Sequence, residues 1–316
     1  MKKIIFGFTG KKTEDCRLIS GGHINRTWAV TAGGERFILQ KLNDTLFDSR
    51  LQAMERDYLL YVRACGEALP EGDCWEVPRW LKDRQGDHFH RDDDGGIWRC
   101  YPFIPGQTAD ASCDSDTLKA CGAGLAKLHH ILSYAEGEAA PVLPDLHNTA
   151  KYHDEYLNAL KNADEKIREP EAERIIDKNA ESILSLTFPG RQLIHGDARI
   201  GNALFRNSRQ IAMLDLDSFM YGPRLLDIAD CMRSASITDA GLDRERCGIL
   251  LEGYQTSGFR KLSPEELDAL PAALSRICFE LGLRYYTDRL RGNIYFPETR
   301  PGENAEKARK YLRACI

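Results

Sequence analysis

The chain has 316 residues, of which 42% are hydrophobic and 29% charged, and a formal net charge of −5. These proportions describe an ordinary globular protein with enough material for two lobes. They argue against a general nucleic-acid surface, because Lys and Arg are scattered among Asp and Glu rather than gathered in a basic stripe. No uncharged apolar run reaches the roughly 18–20 residues of a membrane span. Lys2 and Lys3 before Ile4-Ile-Phe6 suggest a signal peptide, but the apolar stretch is too short and Lys11 and Lys12 follow at once. The ten cysteines form no C-x-x-C pair and show no regular spacing. Reduced thiols in a cytoplasmic protein are therefore expected.

Leu18-Ile-Ser-Gly-Gly-His-Ile-Asn-Arg-Thr-Trp-Ala-Val30 reads as strand, tight turn, strand, and Arg36-Phe-Ile-Leu-Gln40 as a third strand. Apolar residues at Leu51, Met54, Tyr58, Leu59 and Val62 predict a helix over 48–62. Further strands are expected over 77–82 and 97–101, with His88, His90 and the Asp residues at 92–94 on turns between them. Tyr101-Pro-Phe-Ile-Pro-Gly106 has the character of a connector and divides an N-lobe, 1–105, from a C-lobe, 106–316. From Asp114 the pattern turns helical, with a core stripe at Leu118, Leu125, Leu128 and Leu132. His129 and His130 lie on this helix and read as structural. Helices follow over 150–166 and 171–186. The C-terminal third predicts helices over 242–254, 264–280 and 303–314, the second broken or kinked at Pro271.

The chemistry-bearing stretch is Leu193-Ile-His-Gly-Asp-Ala-Arg-Ile-Gly-Asn-Ala-Leu-Phe205, followed by Ile211-Ala-Met-Leu-Asp-Leu-Asp217. It reads as three short strands whose connections bring Asp197, Asn202 and Asp215 to one point. Phosphoryl transfer needs such a set: one carboxylate to orient the proton of the attacking hydroxyl, and an amide oxygen with a second carboxylate to hold magnesium on the phosphates. The five-residue step from Asp197 to Asn202 matches the H-R-D-x-x-x-x-N loop of protein kinases, with Gly196 in place of the Arg. Arg199 supplies a cation for the transferring phosphate. Asp217 falls on the same strand face as Asp215 if the strand continues, either as a second magnesium ligand or as an acceptor for a sugar hydroxyl. No P-loop pattern occurs.

His195-Gly-Asp-x-x-x-x-Asn202, followed by an apolar strand ending in Asp215, resembles the aminoglycoside phosphotransferase and choline kinase superfamily. The resemblance implies an α+β, two-lobed, protein-kinase-like fold, with a small antiparallel-sheet N-lobe and a larger, mostly helical C-lobe. Gly21-Gly-His-Ile-Asn25, Ile38-Leu-Gln-Lys-Leu-Asn43, Trp98-Arg99, Phe103-Ile104 and Leu283-Arg-Tyr-Tyr-Thr-Asp288 further resemble the N-acetylhexosamine 1-kinase branch. In that frame Gly21 and Gly22 lie over the nucleotide phosphates. His23 and Asn25 reach either phosphate or sugar, or belong to a solvated loop. The third strand offers Gln40 where protein kinases carry a Lys, and Lys41 points the other way unless a bulge brings it inward. Glu55 is the candidate to pair with a strand cation, or else a surface Glu. Asp227 supports the catalytic loop. Arg99, Arg284 and Asp288 are implied sugar contacts, and Leu283–Leu290 reads equally as a helix with Leu283, Tyr286 and Leu290 in the core.

The expected function is thus ATP- and magnesium-dependent phosphorylation of a sugar hydroxyl, the anomeric one of GlcNAc or GalNAc, with a small-molecule sugar as partner and no nucleic acid or membrane. The alternatives are a kinase of an aminoglycoside, choline or related amino alcohol, and a catalytically silent nucleotide-binding protein on the same fold. Cationic acceptors favour carboxylate-rich sites, whereas Arg284 and Arg289 beside Asp288 suit a neutral sugar.

Overall fold

The computed structural model describes residues 1–19, 24–137 and 141–315. The chain begins with α1 (Lys2–Thr9), which buries Ile4, Ile5 and Phe8. Sequence analysis treated this stretch only as a rejected leader. Its apolar residues share one helical face, and that face packs on the neighbouring sheet.

That sheet has β1 (Thr13–Ile19), β2 (Arg26–Ala32), β3 (Glu35–Lys41), β4 (His90–Arg91) and β5 (Ile97–Pro102) in the order β1-β2-β3-β5-β4, antiparallel throughout. Side chains alternate across it. Phe37 and Leu39, with Trp98 and Cys100, form the core beneath α1. Ile38 and Tyr101 face the other way, into the main core with Tyr58. The register places Gln40 opposite both Thr27 and Arg99, so these three polar side chains sit abreast on one face. The strand expected over 77–82 does not form. One hydrogen bond, from Leu81 N–H to Cys100 O at 2.8 Å, links it to β5. Pro78 has no donor to continue a ladder, and Trp80 turns inward to stack on Tyr58 with ring centroids 3.9 Å apart.

A short helix, α2 (Asp44–Phe47), precedes α3 (Leu51–Ala68), which packs behind the sheet. After β5, the chain passes through Phe103–Gly106 to β6 (Gln107–Thr108), which pairs instead with β8 (Ala203–Arg206) and through it β9 (Arg209–Met213). The rest is mainly helical: α4 (Ser115–Leu132), α5 (Thr149–Asn162), α6 (Pro170–Leu184), α7 (Leu225–Ser236), α8 (Arg244–Thr256), α9 (Pro264–Leu290) and α10 (Glu303–Arg313). Two small pairs complete it, β7 (Gln192–Ile194) with β10 (Met220–Gly222) and β11 (Ile237–Thr238) with β12 (Gly241–Leu242). No helix among the described residues is long and apolar enough to cross a membrane.

Two helical expectations change. Pro271 neither breaks α9 nor separates Leu283–Leu290 from it; one helix of 27 residues runs through both. A capping box between Ser263 and Glu266 fixes its start, with Pro264 in the first turn. Packing against α5, α6, α7 and α10 then outweighs the hydrogen bond that proline removes.

Helices α4 and α8 meet through glycines. A Cβ on Gly122 would lie 1.9 Å from Leu250 O, and one on Gly253 would lie 2.0 Å from Lys119 O. The backbones therefore touch without intervening side chains, and this contact sets the position of His129 and Tyr254 used below. Gly122→Ala is expected to cost at least about 1–3 kcal/mol of stability through overpacking, read from the urea unfolding midpoint. An unchanged midpoint would show that the two helices do not approach this closely.

Candidate active site

Beyond β7 the chain turns through His195-Gly196-Asp197. Gly196 adopts φ +81°, and a Cβ there would approach Ser218 O to 2.3 Å. Only glycine fits this crossing. The peptide groups ahead of Asp197 are held from several sides. Asp227, on α7, accepts from the backbone N–H groups of His195 and Gly196, each at 2.8 Å. Ser218 Oγ donates to His195 O at 2.8 Å, and His147 Nε2 lies 2.9 Å from Gly196 O. The His195 ring bridges Leu214 O, 3.0 Å from Nε2, and Asp197 N–H, 3.2 Å from Nδ1. Those partners assign Nε2 as donor and Nδ1 as acceptor.

Asp227 is itself anchored. His129 Nε2 lies 3.1 Å from Asp227 Oδ2, and His129 Nδ1 lies 2.9 Å from Tyr254 Oη. Burial alone would raise the Asp227 pKa; its hydrogen bonds and the nearby imidazoles outweigh that and hold it below the usual carboxylate range. The opposite holds at His147. Burial works to lower its pKa, but Glu280, 2.8 Å from Nδ1, raises it overall. Both His147 nitrogens face acceptors, the pattern of an imidazolium.

Asn202 Nδ2 donates to both Asp197 O and Asp197 Oδ2, at 2.9 Å each. Its Oδ1 is the amide atom left for another partner. Arg199 Nε lies 3.4 Å from Asp197 Oδ2. Asn202 O accepts from Leu214 N–H at 2.8 Å, which carries Asp215 to the loop. Asp215 adopts φ +61°, a left-handed conformation that Asp and Asn tolerate better than most residues. Burial, then Asp217 and Asp197, push its pKa up to about 6 against the opposing Arg99 and Arg199. An amide oxygen and an electrostatically burdened carboxylate form a donor set for a hard divalent cation. Among the described residues, no group of three or more His, Cys, Asp or Glu side chains could hold a metal. Water and ligand oxygens would have to complete the shell.

Asp217 is buried and paired with Arg99, whose Nη2 lies 2.8 Å from Oδ2 while Nη1 bonds Oδ1. Asn25 Nδ2 donates to the same Oδ2 at 3.0 Å. Arg99 Nε donates to Gln40 Oε1 at 2.8 Å, and Gln40 Nε2 to Thr27 Oγ1 at 3.1 Å. Asn25, Gln40, Arg99 and Asp217 thus form one buried network between sheet and catalytic loop. Lys41 lies on the other face, its Nζ 5.7 Å from the Trp98 ring centroid. Glu55 pairs with His88 at 2.6 Å rather than with a strand cation. Gly21, Gly22 and His23 lie outside the described residues.

A cleft of about 510 Å³ gathers Asn25, Gln40, Asp197, Arg199, Asp215, Asp217 and Arg284. Arg284 lies near the rings of Tyr152, Tyr295 and Phe296, at 5.2–5.6 Å from their centroids. Asp288 does not join them. Its carboxylate accepts from the N–H groups of Ile294, Tyr295 and Phe296 at 2.8–3.1 Å, and so shapes the loop that presents two aromatic rings to the cleft. Sequence analysis missed Asp230, Arg233, His147, Glu280 and Lys307, which also border the cleft. For Asp230 there was a signal, its position one helical turn after Asp227. The others converge from distant segments.

The family model of the phosphotransferase enzyme family (APH) matches residues 15–264. Similar solved structures include an amicoumacin kinase complexed with AMP-PNP, calcium and a compound abbreviated Ami, with TM-score 0.69, 15% identity, and coverage of 99% of this chain and 91% of that one. The GDP complex of aminoglycoside 2'-phosphotransferase-IIIa has TM-score 0.67 and 13% identity, with coverage of 99% and 97%. A macrolide 2'-phosphotransferase from Brachybacterium faecium has TM-score 0.55 and 16% identity, with coverage of 98% and 96%. These likenesses bear out the expected α+β, protein-kinase-like fold. With the family model spanning the sheet, the catalytic loop and most of the helices, the chain belongs to the phosphotransferase enzyme family.

Proposed function

We propose that the protein is an ATP- and magnesium-dependent kinase of a sugar hydroxyl, the anomeric hydroxyl of an N-acetylhexosamine, yielding the 1-phosphate. The observation that carries this reading is that Asp197, held by Asn202, and Asp215 line the same cleft as Arg284, which lies among aromatic rings. Asp197 Oδ accepts the hydrogen bond of the attacking hydroxyl and orients its lone pair, while Asn202 Nδ2 keeps the carboxylate in place. Arg199, beside it, offsets charge on the transferring group. Asn202 Oδ1 and Asp215 would hold magnesium, which would supply positive charge to neutralise the nucleotide phosphates. Asp217 Oδ2 has both lone pairs engaged by Arg99 and Asn25, whereas Oδ1 accepts only from Arg99 and retains one, so a metal-ligand role would fall to Oδ1. Gln40 and Asn25 close the nucleotide side. Gly21 and Gly22, over the phosphates, complete the proposal from sequence alone.

The acceptor end supports a neutral ligand. Asp230 is paired with Arg233, and Glu280 with His147 and Arg276. Arg284 has no carboxylate partner among the described residues. An amino alcohol or aminoglycoside would bring its ammonium toward Arg284, which no carboxylate among the described residues offsets. A sugar ring offers hydroxyls and an amide carbonyl to Arg284 and C–H faces to Tyr295 and Phe296.

ADP release with magnesium-ATP is the direct test, against GlcNAc, GalNAc, glucose, choline and kanamycin. Turnover of the N-acetylhexosamines, with the 1-phosphate as product, is expected. Asp197→Asn should lower kcat on the order of a hundredfold or more. Turnover of choline or kanamycin alone would sink the sugar assignment. ATP binding without turnover of any acceptor would instead indicate a silent nucleotide-binding protein.

A second test addresses the metal-binding end without needing activity. The Asp215 carboxyl has an unfolded pKa of roughly 3.9 and a folded one of about 6, so the folded protein binds its proton more tightly. That stabilisation is fully present below about pH 4 and is lost as the pH rises through about 6. Asn at this position stays neutral and suits left-handed backbone. In EDTA, Asp215→Asn should therefore gain on the order of 2–3 kcal/mol relative to wild type between pH 4 and pH 8, measured by urea unfolding. A difference that does not change with pH would remove the case for unbalanced charge at Asp215.

A further inference from the structure

Asp230 borders the cleft from α7. Its Oδ1 accepts from Arg233 Nε at 2.8 Å, and Arg233 Nη2 lies at the same distance. Its Oδ2 is buried and has no hydrogen-bond partner, and the side chain as a whole is only 8% exposed. A buried carboxylate oxygen without a donor is costly and calls for an explanation. Nothing in the fold uses it. Asp227, one turn earlier, already holds the loop, and Ser234, one turn later, accepts from Ile200 N–H at 2.9 Å.

We propose that Asp230 is a specificity-determining residue whose Oδ2 accepts a hydrogen bond from a second hydroxyl of the acceptor, which makes the substrate class polyhydroxylated rather than a single-hydroxyl alcohol. This rests on the reading of the cleft as the acceptor site. Arg233 already compensates the Asp230 charge, and Arg284, which has no carboxylate partner among the described residues, borders the same cleft, so the missing partner is a neutral donor rather than an ammonium. The second hydroxyl belongs to the same acceptor as the reacting one, because Asp230 and Asp197 border the same cleft. Burial, opposed by Arg233, and then Asp197 raise the Asp230 pKa overall.

The test pairs wild type and Asp230→Asn with N-acetylhexosamine and a series of its monodeoxy analogues. In the variant the amide oxygen must face Arg233, which has only donors, so an N–H group replaces the free Oδ2. One deoxygenation should cost wild type roughly tenfold to a hundredfold in kcat/KM. The same change should cost Asp230→Asn less than about threefold, with the KM for ATP unmoved. Equal losses in both proteins for every analogue would overturn this inference while leaving the proposed function standing. No turnover of any N-acetylhexosamine by wild type would overturn the proposed function, and this inference with it. Should the variant fail to fold, the wild-type series decides alone, and the absence of any tenfold loss would refute the proposal.

Discussion

The position of Asp197 depends on two peptide groups that cannot rotate. Asp227 takes the N–H groups of both His195 and Gly196, Ser218 takes the first carbonyl, and His147 takes the second. A general base or orienting carboxylate contributes only when held to within a fraction of an ångström. Here that precision comes from buried charge rather than from the loop's own conformational preference. Asp227 can remain ionised in the core because two N–H groups and His129 surround it. His129 in turn needs Tyr254, and Tyr254 reaches it only because α4 and α8 touch at Gly122 and Gly253. A helix contact far from the cleft thus reaches the reacting end through three successive hydrogen bonds.

A second network ties the sheet to the same loop. Protein kinases place a lysine on the third strand, and β3 presents Gln40 there. The cation comes instead from the neighbouring strand, where Arg99 lies directly opposite Gln40. Gln40 Oε1 takes the Arg99 Nε, which leaves both terminal nitrogens of the guanidinium for Asp217. Glutamine suits this role better than lysine, because a second cation beside Arg99 would repel it in a buried site. The departure at residue 40 and the Arg99–Asp217 pair are therefore one feature. Removing either ion would strand the other in the core.

Those relations explain what could be read from the sequence. Asp197, Asn202 and Asp215 were legible because a five-residue step and a short hairpin bring them together, so local spacing carries the information. The opposite directions of Gln40 and Lys41 followed from strand alternation. Glu55 and Asp288 show the limit. Residue type and helical placement suggested a strand partner and a sugar contact, but whether α3 turns Glu55 toward β3 or toward His88 depends on helix rotation that tertiary packing sets. Asp288 meets the backbone of a loop that follows it by six to eight residues, a contact that periodicity does not reveal. His147 and Glu280, 133 residues apart, have no local signature at all. Helix α1 is short, and its apolar face at Ile4, Ile5 and Phe8 has meaning only against the sheet it covers, which local spacing does not show.

The four aspartates bordering the cleft differ in one respect that orders them by role. Asp217 has Arg99, Asp230 has Arg233, and Asp197 has Asn202 with Arg199 nearby. Asp215 has no hydrogen bond or ion pair to any described residue, and Asp217 and Asp197 both press on it. A fold that compensates three carboxylates and leaves the fourth unbalanced has left a position for positive charge. The neighbouring donor atoms are oxygens, the Asn202 amide among them, a set that would suit a hard divalent ion better than a soft one. Asp230 repeats the pattern at smaller scale. Its charge is balanced but one oxygen is not satisfied, and a neutral hydroxyl rather than a cation is the partner that completes it. Within one cleft, unpaired charge at Asp215 and an unpaired lone pair on Asp230 are thus two different demands on whatever binds there.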